Sequence, residues 1–345
     1  MPVPTSAASL SLPRVASAFR SAAEAAKRFR GATAPNPPVG CALLDDAGDN
    51  LAIAAHTRAG QPHAEAAAID FCRRNGTVAR IDTVVVTLEP CNHWGRTPPC
   101  TGAILATPAR HVWIGAADPD LGVGGGGIKR LRDAGVDVHL LEDGDDGELG
   151  ACGDVCRDLI APFAKQRLSG RPWVTVKQAI DEQGSMIPPP GRKTFTSDAA
   201  LTIGHRLRKR ADAILTGSGT VLADDPVFTV RRVPDHPGKR RRLVILDRRG
   251  RVPRAYREAA ELRGFEVAIA RDLGQALDEL GRQGVLEVLV EAGPAVTASV
   301  LDGGLWDEHV VLRKSADGEP DRIEVEMRQG NRNRRSYAAA ADLEL

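Results

Sequence analysis

His63-Ala-Glu65, and further along Glu89-Pro-Cys91-Asn-His93-Trp-Gly-Arg96-Thr-Pro-Pro-Cys100, are the stretches that decide how this chain is read. The first opens an apolar-periodic segment running to Arg74. The second follows a Val-rich run, Thr83–Leu88, and leads into Thr101–Ala106. The order is helix carrying His and Glu, buried strand ending at a Cys, then a second Cys entering the next helix. One His and two Cys are the three ligands of a catalytic zinc that keeps its fourth position for water. Zinc lowers the pKa of such a water from 15.7 to roughly 7, and Glu65, two residues past the His, stands where it can shuttle the proton. A closed structural zinc clip, with His93 as fourth ligand, is the alternative, but a clip has no use for Glu65 or Pro90.

Around this centre the pattern is α/β. Val15–Arg30 spaces Phe19, Ala22, Ala26 and Phe29 as an amphipathic helix ended by Gly31, and Val39–Leu44 with Leu51–Ala55 reads as a hairpin across Asp45–Gly48. His111–Ala116 and Val136–Leu141 predict further strands, and Ile128–Ala134 a helix. The acidic, Gly-rich Gly144–Gly150 and the helix Val155–Gln166 lead to the expected boundary. The expected division is a flexible tail over 1–13, a first domain over 14–166 and a second over 167–345. Strands are predicted there at Trp173–Lys177, Ala213–Thr216, Arg242–Leu246, Glu266–Ala270 and Val285–Glu291; the helices between them are not located.

A length of 345 residues suits two domains. Lys plus Arg number 46 against 45 Asp plus Glu, for a net charge of +1, so no global field draws the chain to nucleic acid or an anionic membrane. Hydrophobic residues at 42% and charged residues at 26% are those of an ordinary globular protein. No apolar run is long enough to span a membrane, and Met1–Pro13 lacks the basic start and apolar centre of a secretory signal, so a cytoplasmic location is expected. Six cysteines are too few for a disulfide scaffold. Cys41 and Cys72 read as packing residues, and Cys152 and Cys156 as core or partly exposed thiols.

The His-x-Glu, Pro-Cys, Cys order is the signature of zinc nucleobase deaminases, but eight residues separate Cys91 from Cys100. With that loop, Pro35-Asn36-Pro-Pro-Val-Gly-Cys41 and Gly60-Gln-Pro-His63, the chain resembles the bifunctional riboflavin-biosynthesis deaminase/reductases from about Val15 to His309. The resemblance implies an N-terminal cytidine-deaminase-like α/β/α sandwich and a C-terminal dihydrofolate-reductase-like α/β domain using NADPH. It implies zinc on His63, Cys91 and Cys100, Glu65 as proton shuttle, Asn36 and His56 on the pyrimidine, and His93 and Arg96 on the substrate phosphate. In the second domain it implies NADPH contacts at Thr220, Asp224 and Gly293 through Thr297 to Ser299, and substrate contacts at Arg208, Phe228, Arg231 and Glu291. Arg248, past a strand end, is our candidate for the 2′-phosphate. A homodimer through the reductase half is the assembly the family implies.

Two departures mark the reductase half as divergent: Asp181-Glu-Gln-Gly184-Ser-Met186 with Pro188–Gly191 replaces the family's Ser-x-Asp-Gly-Lys/Arg segment, and the charged Val310–Leu345 shows no family strand. A paralogue in a specialised pathway, such as one making toxoflavin-like azapteridines, is therefore one alternative, and a nucleic-acid-editing deaminase another. Two motifs are read as decoys. Gly122-Val-Gly124-Gly-Gly-Gly127 with Glu142 imitates a dinucleotide fingerprint in a domain already given to zinc, and Lys239–Arg242 reads as a solvated loop without the aromatics that stack bases.

Overall fold

The computed structural model describes residues 10–94, 98–120, 124–141, 147–189, 191, 194–315 and 319–328, and the backbone of 335–337. Arg96, Gly122, Glu142 and most of the expected N-terminal tail lie outside the described residues. The chain divides into two compact units, Met1–Leu168 and Ser169–Leu345.

The first unit runs α1 (Leu12–Lys27), β1 (Gly40–Leu44), β2 (Asn50–Ala55), α2 (Ala64–Arg74), β3 (Thr83–Val86), α3 (Cys100–Leu105), β4 (His111–Ile114), α4 (Gly126–Asp133), β5 (Asp137–Leu140) and α5 (Gly147–Ser169). Its sheet is ordered β2-β1-β3-β4-β5, with β1 antiparallel to both neighbours and β3, β4 and β5 parallel. Strand alternation sorts the core. Ala42, Leu44 and Val85 pack with α1 and α5, while Cys41, Leu43, Val84 and Val86 pack with α2, α3 and α4. Cys72 lies in the second of these cores, and Cys152 and Cys156 in the first. Gly40 is required by contact, because a Cβ there would stand 1.9 Å from the Ala22 carbonyl oxygen of α1. Helix α1 begins earlier than its apolar period suggests because Pro13 fits a first helical turn. Helix α5 likewise begins inside the acidic, Gly-rich stretch, ahead of the helix start expected at Val155.

The second unit runs β6 (Trp173–Ile180), α6 (Asp198–Arg210), β7 (Ala213–Gly217), α7 (Ser218–Asp224), β8 (Arg241–Leu246), α8 (Arg254–Leu262), β9 (Phe265–Ala270), α9 (Leu273–Arg282), β10 (Glu287–Val290), α10 (Pro294–Asp302), β11 (Glu308–Arg313), β12 (Arg322–Met327) and β13 (Arg335–Tyr337). The sheet order is β13-β12-β11-β6-β10-β7-β8-β9, parallel from β11 to β9. Strands β11 and β12 correct the expectation of a tail without strand. Val310, Leu312 and Ile323 are buried in the core against α6, and in β12 Arg322, Glu324 and Glu326 alternate with Ile323, Val325 and Met327, which hides that strand in composition.

The basic run Lys239–Arg242 is not the solvated loop expected. Lys239 Nζ donates to the carbonyls of Lys209 (3.4 Å) and Arg210 (3.2 Å) and pairs with Asp212 at 3.1 Å. Arg241 donates to the carbonyls of Arg208 (2.8 Å) and Lys209 (3.1 Å) and pairs with Asp235. Two of the four cations therefore cap the last turn of α6, where free carbonyls and the helix dipole favour positive charge.

Candidate active sites

In the first unit His63 is the residue before α2, so the first helical turn carries Glu65 beside it, and Glu65 is buried. Cys91 follows β3, and Cys100 is the first residue of α3. His63 Nδ1 lies 3.6 Å from Cys91 Sγ and 3.4 Å from Cys100 Sγ, and the three ligand atoms all fall within 4.8 Å of one another. Zinc bonds of about 2.0–2.1 Å to nitrogen and 2.3 Å to sulfur at tetrahedral angles place such atoms about 3.5 Å apart. The donor set therefore fits zinc. Cys91 is brought down to about 4 because the Cys100 thiol donates to it, joined by His63 and the Cys100 backbone N–H. Burial holds the Glu65 carboxyl above its ordinary range, and the neighbouring His63 offsets only part of the shift.

These groups open on a cavity of about 200 Å³ that Asn36, His56 and His93 also line. Buried His56 donates Nδ1–H to the Pro62 carbonyl at 3.1 Å, which leaves Nε2 to accept from the Asn36 amide at 3.2 Å. Burial lowers the His56 pKa, which favours the neutral ring, and its hydrogen bonds turn the Asn36 side chain one way.

The sequence reading did not single out four other cavity residues: Asp118 and Asp120 after β4, and Phe163 and Arg167 on α5. Arg167 reaches within 3.9 Å of Asp120 and lies 5.1 Å from the Phe163 ring centre. Burial, reinforced by Glu89 and Asp120, raises the Asp118 pKa. Glu89 was also missed as a positioning group. Its carboxylate accepts from the backbone N–H of Gly125 (2.9 Å), Gly127 (3.0 Å) and Ile128 (3.1 Å). The described part of the Gly-rich loop thus wraps an internal carboxylate, which occupies the helix N-terminus that a dinucleotide phosphate would use. A Cβ on Gly127 would sit 2.1 Å from the Pro90 carbonyl oxygen, so the same loop fixes the residue before Cys91.

In the second unit Arg208, Phe228 and Glu291 converge. Arg208 of α6 grips Glu291 with two bonds of 2.7 Å and lies 5.8 Å from the Phe228 ring centre. Lys177 of β6, which sequence reading did not single out, joins at 3.0 Å from Glu291. Burial would raise the Glu291 pKa, yet the charges of Arg208 and Lys177 hold it well below the usual carboxylate range. Arg231 is exposed next to this group, its backbone N–H bonded to His205 Nδ1 at 2.8 Å.

Residues expected at NADPH follow the carboxyl ends of adjacent parallel strands, where ligands of open α/β sheets bind. Thr220 lies in α7 past β7, and Thr297 in α10 past β10. The Thr220 hydroxyl accepts from the Gly293 N–H at 2.8 Å, tying the two segments together. The α10 N-terminus beside Gly217, where β7 passes into α7, gives the donor set a dinucleotide phosphate needs, so these residues fit NADPH. Asp224 is exposed at the end of α7, and Arg248 is exposed after β8 with its Nε bonded to the Arg271 carbonyl at 3.2 Å. The divergent segment after β6 is an ordered turn in which Asp181 accepts from Gln183 N (3.0 Å) and Ser185 N (2.7 Å).

Residues 14–116 match the cytidine and deoxycytidylate deaminase zinc-binding region, and residues 172–314 match the RibD C-terminal domain. The chain is 33% identical to the riboflavin biosynthesis protein RibD of Aquifex aeolicus, over 83% of each chain. The chain belongs to the RibD family. The RibD of Escherichia coli is also 33% identical over 83% of each chain. The solved RibD of Acinetobacter baumannii superposes with a TM-score of 0.75 at 32% identity, covering 89% of this chain and 88% of its own. This RibD-family chain is thus a deaminase and a reductase of riboflavin biosynthesis whose cofactors are zinc and NADPH. Among the described residues no helix is long and apolar enough to cross a membrane.

Proposed function

We propose that the first unit hydrolyses the amine of diaminohydroxyphosphoribosylaminopyrimidine and the second reduces the resulting 5-amino-6-(5-phosphoribosylamino)uracil to its ribityl form. These are the two activities named for a solved relative from Thermotoga maritima, 29% identical over 89% of each chain. The observation that carries the reading is buried Glu65 beside the His63, Cys91 and Cys100 ligand set, in a cavity shared with Asn36 and His56.

His63, Cys91 and Cys100 hold the zinc, whose chemistry is to acidify a water to roughly neutral pKa. Glu65, whose carboxyl burial holds above its ordinary range, takes a proton from the attacking water as its oxygen bonds to the amine-bearing ring carbon and passes it to the amine nitrogen, so that ammonia leaves as the C–N bond breaks. Asn36, turned by His56, positions the pyrimidine. His93 lines the cavity and, with Arg96, binds phosphate. In the second unit Thr220, Asp224, Gly293 and Thr297 would hold NADPH, with Arg248 on the 2′-phosphate, and the bound cofactor would supply hydride. Arg208, Phe228, Arg231 and Glu291 hold the opened ribose and its phosphate, with Lys177 fixing Glu291.

Removing zinc with a chelator is expected to stop ammonia release while NADPH oxidation with the deaminated aminouracil continues. Loss of both signals would contradict separate sites, and unchanged NADPH affinity in Arg248→Ala would remove that residue's assignment. A homodimer through the reductase unit, which the family resemblance implies, and a cytoplasmic location complete the proposal.

A further inference from the structure

Strands β4 and β5 lie side by side at one edge of the first sheet, and β5 has no strand beyond it among the described residues. In their parallel register His111 pairs with Asp137 and Trp113 with His139. Residues two apart share a face, so His111, Asp137 and His139 come to one side of the strand pair. One carboxylate oxygen of Asp137 lies 3.2 Å from His111 Nδ1 and 2.9 Å from His139 Nε2, and the three atoms fall within 4.8 Å of one another.

We propose that His111, Asp137 and His139 form a second divalent-metal site, with zinc as its preferred ion, separate from the cysteine-bearing site and clamping the open edge of the sheet. Metal bonds of about 2.0–2.2 Å to imidazole nitrogen and carboxylate oxygen set neighbouring donors about 3.3 Å apart at tetrahedral angles, close to the separations found. Two imidazoles and one carboxylate select borderline ions such as zinc, nickel or cobalt over magnesium or calcium, which want oxygen alone. The ring of His139 stacks on Trp113, with centres 4.1 Å apart and planes 16° from parallel. That stacking fixes one ligand ring before metal arrives, as supporting contacts do at built metal sites. The Asp137 side chain is 57% exposed and the His139 side chain 38%, which leaves room for water to complete the coordination. An edge strand is the least protected part of a sheet, and a metal joining β5 to β4 holds it against the interior strand.

The full chain, dialysed to equilibrium against micromolar zinc, is expected to bind two zinc ions. The double variant H111N/H139N is expected to bind one with ammonia release unchanged. Loss of supporting contacts alone weakens metal sites by about 10–100-fold, so removing two ligands is expected to weaken this one by at least that factor. Nickel added to the chain loaded with a single equivalent of zinc, which fills the cysteine-bearing site first, should quench the Trp113 emission, a signal absent from W113F, in which the metal stoichiometry stays at two. One zinc per chain in the unmodified protein, two in H111N/H139N, or nickel binding without Trp113 quenching would each overturn the site and leave the cluster as a carboxylate bridging two imidazoles.

Discussion

In the deaminase unit the ligand set comes from the start of α2 and one loop running into α3, and its partners are residues of uncommon chemistry, a His and two Cys. In the reductase unit Lys177, Arg208 and Glu291 come from β6, α6 and the end of β10, and only the pairing of β6 with β10 and the packing of α6 against β10 bring them together. The interiors differ too. The buried ionisable groups serve different ends: in the deaminase unit Glu65, His56 and Glu89 lie at the cavity or hold the loop beside it, whereas the reductase unit buries Arg210 among Glu287, Glu308 and Thr175, with Arg210 Nη2 2.9 Å from Thr175 Oγ1 and Thr175 Oγ1 2.7 Å from Glu308. A site written in local sequence brings its own buried polar groups with it. A site assembled by topology depends on every strand keeping its neighbour, and the buried charge cluster ties β6, β10 and β11 to the end of α6.

The sharpest way to break this comparison is Glu65→Gln. Loss of a positioned proton carrier is expected to slow ammonia release by about 10²–10⁴-fold and to leave reduction of the deaminated aminouracil unchanged; a parallel fall in NADPH oxidation would show the units are not independent. Next comes Arg210→Met, which strips the partner from two buried carboxylates. Urea denaturation is expected to show the reductase unit destabilised by about 3–5 kcal/mol, with the deaminase transition unmoved. If both transitions shift together, the buried cluster supports more than its own sheet.

The smallest expected effect is on pH. His205 is buried beside Arg208, Arg231 and Arg232, and burial first, then those charges, lower its pKa to about 4 from an ordinary 6.5. Between those values the unfolded chain binds the proton that the folded chain refuses, so stability falls as pH drops from about 6.5 toward 4. The loss is on the order of 1–3 kcal/mol and confined to the reductase unit, and His205→Gln should flatten that part of its stability profile.

The same contrast explains what could be read in advance. The Val-rich strands of the first sheet and the His63, Glu65, Cys91 and Cys100 set are readable because period and spacing are local. Glu89 is not, since a carboxylate that serves as an internal anion for a glycine loop carries no spacing signature. Asp118 and Arg167 reach the cavity from segments that only folding brings near. In the second unit β12 escapes reading because Arg322, Glu324 and Glu326 mask the alternation of Ile323 and Val325. Lys239 and Arg241 look like a solvated run until the end of α6 is placed against them.

The most direct test of two sites working in succession is a stoichiometry. The zinc-loaded protein is incubated with diaminohydroxyphosphoribosylaminopyrimidine, with and without NADPH, while ammonia release and NADPH oxidation are followed separately. The account predicts equal ammonia release under both conditions, and one NADPH oxidised for each ammonia released. Ammonia with no NADPH oxidation, or NADPH oxidation preceding ammonia, would contradict it.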